Sequence, residues 1–313
     1  MTPVKRPDAR IGLVLGSGSS RGWSHIGILR ALAEIGIEPD LVCGCSVGAI
    51  VGASYAAGNL DRLEQWVTSL TRTDVVRFLD LNLSLSGFVD AARLRSFFGE
   101  YVCPESVRIE ELGRTFATVS TDLETGREIW ITEGSVLDAV WASMSLPGLF
   151  PPIRNQGRWL VDGGLVNPVP VSVCRALGAE IVIAVNLNGS IVGRHFLHHA
   201  REKSDEIPAD GLLATVRKTV SKTVRSYSVS LFDNNGTEDA PPGLFDAISG
   251  SINIVQDRIT RSRMAGDPPD IVLAPRLSHI GLMEFYRARE AIEEGRECVR
   301  RMLPELRHQV KPD

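Results

Sequence analysis

The chain has 313 residues, 43% hydrophobic and 23% charged, an ordinary globular composition with material for one sizeable core. A formal net charge of -4 leaves no basic excess to neutralise phosphates, which argues against a nucleic-acid binder. Five cysteines (Cys43, Cys45, Cys103, Cys174, Cys298) are odd in number and show no C-x-x-C spacing, which fits a reducing compartment. The first residues lack a signal-peptide core, and no stretch offers the roughly 18 to 20 apolar residues that span a bilayer, so a soluble cytoplasmic protein is expected.

In chain order, Arg10 to Leu15 reads as a short buried strand and Gly16 to Gly22 as the small-residue loop leaving it. A helix follows, its apolar positions Ile26, Leu29, Leu32 and Ala33 at helical spacing and Gly36 placed to cap it. A second strand, Asp40 to Gly44, delivers Ser46, and Val47 to Ala57 continues as a helix of small residues. Strand, helix, strand, helix within sixty residues is the signature of parallel strands in an α/β fold. Asp61 to Leu70 and Ala91 to Tyr101 read as helices around an irregular 79–90 stretch. Phe116 to Ser120 and Glu128 to Thr132 flank Glu124-Thr125-Gly126 as a hairpin. After a helix near Ser135 to Ser145, the prolines of Leu146 to Pro152 enforce a loop. Trp159-Leu160-Val161 leads into Asp162-Gly163-Gly164, and Glu180 to Val185 is a buried strand.

From 188 to 243 the chain is polar and reads as a mobile insertion. Within it, 212–232 carries an apolar stripe (Leu213, Val216, Val220, Val224, Tyr227, Leu231) opposite Arg217, Lys218, Lys222 and Arg225. That pattern suits a surface helix packed on the body, or a peripheral membrane contact. Order returns with a Phe245 to Met264 helix, a strand at Asp270 to Ala274 and a terminal helix from Met283 to Met302. Residues 8–187 are thus expected to form the core, with 244–305 completing the same domain.

Three motifs carry chemistry. Gly44-Cys45-Ser46-Val47-Gly48 is a G-x-S-x-G sequence between a strand and a helix, the form of a nucleophile elbow: small neighbours let the backbone turn sharply and push the serine hydroxyl outward. Gly16-Ser17-Gly18-Ser19-Ser20-Arg21-Gly22 exposes consecutive amides at a helix start, where developing negative charge is favoured. It is similar to a dinucleotide loop, but has three residues between the second and third glycine and no acidic residue closing the next strand. Asp162, followed by Gly163 and Gly164, can project a carboxylate at the same sheet edge as Ser46 and accept its proton. Of the six histidines, His25 falls on a packing face and His195, His198 and His199 in the polar insertion. His279 is the one left to complete a Ser46-Asp162-His279 triad, the runner-up arrangement. No metal-binding cluster is apparent and no cofactor is expected.

Taken together, these motifs resemble the oxyanion loop, nucleophile elbow and catalytic aspartate of the patatin-like phospholipases. Trp23-Ser24-His25-Ile26-Gly27, the Ala142 to Pro152 stretch and Asn167-Pro168-Val169-Pro170 are similar to the bacterial branch related to neuropathy target esterase. The resemblance implies an α/β/α sandwich with a mainly parallel sheet, and a Ser-Asp dyad that hydrolyses acyl esters of phospholipids or lysophospholipids. By position it makes Ser46 the nucleophile, Asp162 the base, and Gly16, Ser17, Gly18, Ser19 and Arg21 the oxyanion loop, with Gly44, Gly48, Gly163 and Gly164 as framing glycines. Where that family has consecutive glycines this chain has Ser17, Ser19 and Ser20, whose Cβ atoms restrict positive φ and narrow the space for substrate. A regulatory or binding protein with weak or no hydrolase activity is the alternative these serines motivate.

Overall fold

The computed structural model describes residues 9–75, 91–189 and 244–310. Eight strands form one sheet: β1 (Ile11–Leu15), β2 (Leu41–Cys45), β3 (Thr115–Asp122), β4 (Glu128–Ile131), β5 (Ile153–Asn155), β6 (Arg158–Asp162), β7 (Ile181–Val185) and β8 (Ile271–Leu273). Their order is β5-β6-β3-β2-β1-β7-β8, with β4 also on β3. The run from β3 to β8 is parallel, and β4, β5 and β6 join it antiparallel. Central β1 and β2 are apolar and buried almost throughout, as parallel strands covered on both faces must be.

The alternation of β1 sends Leu13 and Leu15 to one face and Val14 to the other, so the sheet separates two cores. The larger contains residues of α1 (Ser24–Glu34), α2 (Val47–Ala56), α3 (Leu60–Ser69), α4 (Ala91–Tyr101) and α5 (Val136–Met144). On the opposite face a smaller core packs under α6 (Val171–Ala176), and α7 (Leu244–Gly266) adds Met264 to it. Two C-terminal helices, α8 (Ala288–Arg301) and α9 (Leu303–Val310), return to the larger core. This is the mainly parallel α/β/α architecture expected of the sequence. None of the described helices is long and apolar enough to cross a membrane.

Helix α8 crosses α1 backbone to backbone. A Cβ on Gly27 would lie 1.8 Å from the Ile292 carbonyl oxygen, and one on Gly295 would lie 2.1 Å from that of Ser24. Gly36, at φ 72°, ends α1 in the left-handed conformation.

The structure departs from the expected elements in three places. Strand β5 stands immediately after the proline loop. The expected 283–302 helix begins at Ala288, because Glu284 is non-helical and its carboxylate accepts from the Gly281 amide. The chain also continues past 302 and 305 as α9. Pro304, lacking an N–H, cannot extend α8 and instead sits in the first turn of α9. The 79–90 stretch and the 212–232 helix lie outside the described residues, as does the 188–243 insertion apart from Asn188 and Gly189.

One feature of the sheet places the site. Thr118 and Val119 of β3 pair with both β2 and β4, while Ser120 and Thr121 pair with both β4 and β6. A strand has two edges, so β4 takes one and β2 and β6 share the other, meeting end to end. The junction lies where Cys45 opposite Val119 gives way to Asp162 opposite Ser120.

Candidate active site

Ser46 follows β2 directly and turns at φ 56°, ψ -122°, left-handed territory that a side chain enters only under constraint. The glycines around it make that turn sterically feasible. A Cβ on Gly44 would meet the Ala49 Cα at 2.5 Å, and one on Gly48 would meet the Leu15 carbonyl oxygen at 2.0 Å. The Ser46 carbonyl accepts from the amides of Ala49 and Ile50, starting α2, and its own amide donates to Ser143 Oγ on α5 at 2.9 Å. The hydroxyl is thereby held out of the turn.

Because β6 runs head-on into the end of β2, Asp162 arrives beside the elbow. Ser46 Oγ donates to Asp162 Oδ2 at 2.7 Å, and the Gly164 amide donates to Oδ1 at 2.7 Å. Gly163 lets the chain pass under β3, since a Cβ there would lie 2.1 Å from the Val119 carbonyl oxygen. Asp162 is buried, and desolvation raises its pKa to about 6 against the opposing pull of Ser46 and Gly164. At neutral pH it is ionised yet basic enough to accept a proton.

The Gly16 to Gly22 loop packs against the elbow from the β1 side: a Cβ on Gly22 would collide with Val47, and Gly16 lies against Gly48. The Gly16, Ser17 and Ser20 amides are spent on the carbonyls of Val185, Pro168 and Leu282. Those of Gly18 and Ser19 have no partner among the described residues. Arg21 is fully buried; its Nε donates to the Gly18 carbonyl at 3.1 Å and its Nη2 to Asn253 Oδ1 at 3.0 Å. Burial lowers its pKa to about 9, which leaves it charged at neutral pH. The Gly18 carbonyl and the Ser19 N–H belong to one trans peptide and point opposite ways, so Arg21 on the former aims the latter.

The serines standing at glycine positions are tethers. Ser17 Oγ donates to Gln256 Oε1 at 3.0 Å, and Ser19 and Ser20 donate to the carbonyls of Leu282 and Gly281 at 2.6 Å each. Ser19 does adopt the positive φ that its Cβ disfavours, 52°. His25, on the face expected, is buried with Nε2 2.8 Å from the Gly16 carbonyl, to which it donates. Burial pushes its pKa down to about 4, so it stays neutral.

The Ser46-Asp162-His279 arrangement is not formed. His279 turns to Glu290, Nε2 to Oε1 at 2.7 Å, while both Asp162 oxygens are engaged by Ser46 and Gly164. Cys45, next to the nucleophile position, is buried, and burial followed by the Asp162 charge raises its thiol pKa well above the usual value. It is held as a thiol. Ser143 lies in the Ala142 to Pro152 stretch singled out above, but its contact to the Ser46 amide was not read from the sequence, and Asn253 and Gln256 were missed. For the last two a signal was present: polar residues recur at 253, 256, 257 and 260, the spacing of one helical face.

A strained serine elbow, a facing amide loop and an aspartate meeting at one end of a mainly parallel sheet define a patatin-type α/β scaffold. A family model described as patatin-like phospholipase matches residues 13–175. An uncharacterised NTE family protein of Mycobacterium tuberculosis is 32% identical over 92% of this chain and 89% of its own length. Patatin-like phospholipase domain-containing protein 6 of Homo sapiens is 36% identical over 56% of the chain, a match covering 13% of that larger protein. VipD from Legionella pneumophila, at 13% identity and a TM-score of 0.36 over 95% of this chain and 77% of its own, is too distant to argue from. The chain belongs to the patatin-like phospholipase family.

Proposed function

We propose that this protein is a serine hydrolase of lipid acyl esters, acting on phospholipids or lysophospholipids through a Ser46-Asp162 dyad. The observation that carries the reading is the 2.7 Å hydrogen bond from Ser46 Oγ to Asp162 Oδ2, made by a serine on a strained elbow. Ser46 Oγ attacks the ester carbonyl carbon while its proton passes to Asp162, and the carbonyl electron pair moves onto oxygen. The amides of Gly18 and Ser19 receive that oxyanion, with the Arg21 charge buried behind them. Collapse breaks the bond to the leaving alcohol, which takes the proton from Asp162 and leaves the acyl group on Ser46. Water then repeats the sequence and releases the fatty acid. The hydrogen-bonded serines of the oxyanion loop support an active site over an inert scaffold, because each replaces glycine freedom with a tether.

The test compares three variants on a short-chain p-nitrophenyl ester and with a fluorophosphonate probe. Ser46→Ala abolishes probe labelling and lowers turnover by roughly 10⁴-fold or more. Asp162→Asn loses turnover to a similar degree, whereas His279→Ala stays within about twofold of wild type. Undiminished hydrolysis by pure Ser46→Ala protein sinks the assignment, and loss in His279→Ala with survival in Asp162→Asn overturns the dyad.

A further inference from the structure

Helix α7 buries the face that an ordinary amphipathic helix would expose. Asn253, Gln256, Asp257 and Thr260, at i, i+3, i+4 and i+7, are buried, while Ile248, Ile254 and Val255 are half-exposed. Burying polar groups is unfavourable unless partners await them, and Asp257 Oδ1, Thr260 Oγ1 and Asn253 Nδ2 find none among the described residues. The partners that do exist are informative. Asn253 Oδ1 accepts from Arg21, and Gln256 Oε1 accepts from Ser17 Oγ and from Asn188 Nδ2, each at 3.0 Å. Both contacts to the loop reach the same seven residues, Gly16 to Gly22. Gln256 also lies against Gly164, where a Cβ would approach its Nε2 to 2.4 Å. Helix α7 falls outside the 13–175 span of the family match.

Arg21 is the element that needs such support. It has no carboxylate partner among the described residues; its contacts are the Gly18 carbonyl and the Asn253 amide oxygen. A guanidinium with one free arm could rotate off Gly18, and the Gly18-Ser19 peptide, bearing the amide aimed at the oxyanion, would turn with it.

We propose that Asn253 is a positioning residue for the oxyanion loop: it holds Arg21, which holds the Gly18 carbonyl, which directs the Ser19 amide toward the nucleophile. The proposal rests on the serine-hydrolase reading above.

The experiment measures p-nitrophenyl butyrate turnover per site titrated with a fluorophosphonate, together with the labelling rate, in the full-length protein. Counting titrated sites removes any misfolded fraction from the comparison. Asn253→Leu, which keeps the volume and removes the acceptor, lowers kcat and the labelling rate about 10- to 100-fold with KM within twofold. That is less than the ~10²- to 10³-fold of losing a donor outright. Asn253→Asp restores the acceptor and returns both rates to within about threefold of wild type. Thr260→Val, on the same buried stripe but without a contact to the loop, changes neither rate by more than twofold whatever it does to the melting temperature. If Asn253→Leu does not fold, Asn253→Ala makes the same deletion in smaller form. Per-site rates at wild-type level in the acceptor-deleted variant overturn the proposal. So does an Asn253→Asp protein as slow as Asn253→Leu, or a Thr260→Val protein equally impaired. A wild type that neither labels at Ser46 nor turns over overturns the hydrolase reading itself.

Discussion

The two halves of the site are held by different means. Around Ser46 and Asp162 the constraint is steric: Gly44, Gly48 and Gly163 are each pressed so closely by backbone that a Cβ would lie 2.0 to 2.5 Å from a neighbouring atom. Around Gly18 and Ser19 the constraint is a set of side-chain hydrogen bonds to Gln256, Gly281, Leu282 and, through Arg21, Asn253. A steric constraint is all or nothing, because backbone cannot move aside. A hydrogen-bonded one is graded, since a neutral tether is worth about 1 kcal/mol, the charged Arg21-Asn253 contact about 1.5 to 3 kcal/mol, and the rest remain when one is lost. The elbow should therefore break outright under small changes that the oxyanion loop absorbs.

The largest effect expected from that contrast is at Gly48. Gly48→Ala drives a methyl group to 2.0 Å from the Leu15 carbonyl oxygen, a contact that central β1 cannot relieve. Destabilisation of about 3 kcal/mol or more is expected, with loss of turnover, measured by urea unfolding and ester hydrolysis. A folded, active Gly48→Ala protein would remove the distinction.

Asp162 gives the intermediate case, and here stability and activity part company. Its pKa, raised to about 6 by burial, makes the charged form unfavourable in the fold. With an ordinary pKa of about 3.9 when unfolded, the penalty is absent below pH 4, grows between 4 and 6, and amounts to about 3 kcal/mol above that. Asp162→Asn is thus expected to be inactive yet more stable than wild type at pH 8, with the gain vanishing near pH 4. The same value predicts an acid limb near pH 6 in kcat/KM, since protonated Asp162 cannot take the Ser46 proton. Thermal melts at the two pH values and a pH-rate profile check both statements.

At Ser19 the expected effect is smallest. Ser19→Gly relieves a φ of 52° but removes the hydroxyl bond to the Leu282 carbonyl, two changes of opposite sign. Stability should move by less than about 1 kcal/mol and turnover by less than about threefold. A large loss of turnover would show that one tether governs the loop.

The same contrast decided what could be read from the sequence. Steric demands reduce a position to glycine, and glycine is visible locally, so the elbow, the loop and Asp162-Gly163-Gly164 stand out, as do the βαβ opening and the hairpin of β3 and β4. The partner of a hydrogen bond leaves no such mark: Gln256 lies 239 residues from Ser17 and Asn253 lies 232 from Arg21. Nor does the order of strands announce that β2 and β6 share one edge of β3, which is what brings Ser46 and Asp162 together. Ser143 hides for another reason, being a single hydroxyl in an otherwise apolar helix face. The serines at 17, 19 and 20 are legible as departures from glycine, but their acceptors, Gln256 and the carbonyls of Leu282 and Gly281, are not.

The close crossing of α1 by α8 has a consequence for the order of synthesis. Ser46 and the whole Gly16 to Gly22 loop leave the ribosome early, but Asn253, Gln256, Gly281, Leu282 and the Gly295 contact on α1 lie in the last quarter of the chain. At ordinary elongation rates the gap is on the order of tens of seconds. Throughout it the nascent protein carries Ser46 without the partners that tether the Gly16 to Gly22 loop, so if the proposed dyad holds, the ability to attack an ester is expected to arrive with these late residues and not with the serine.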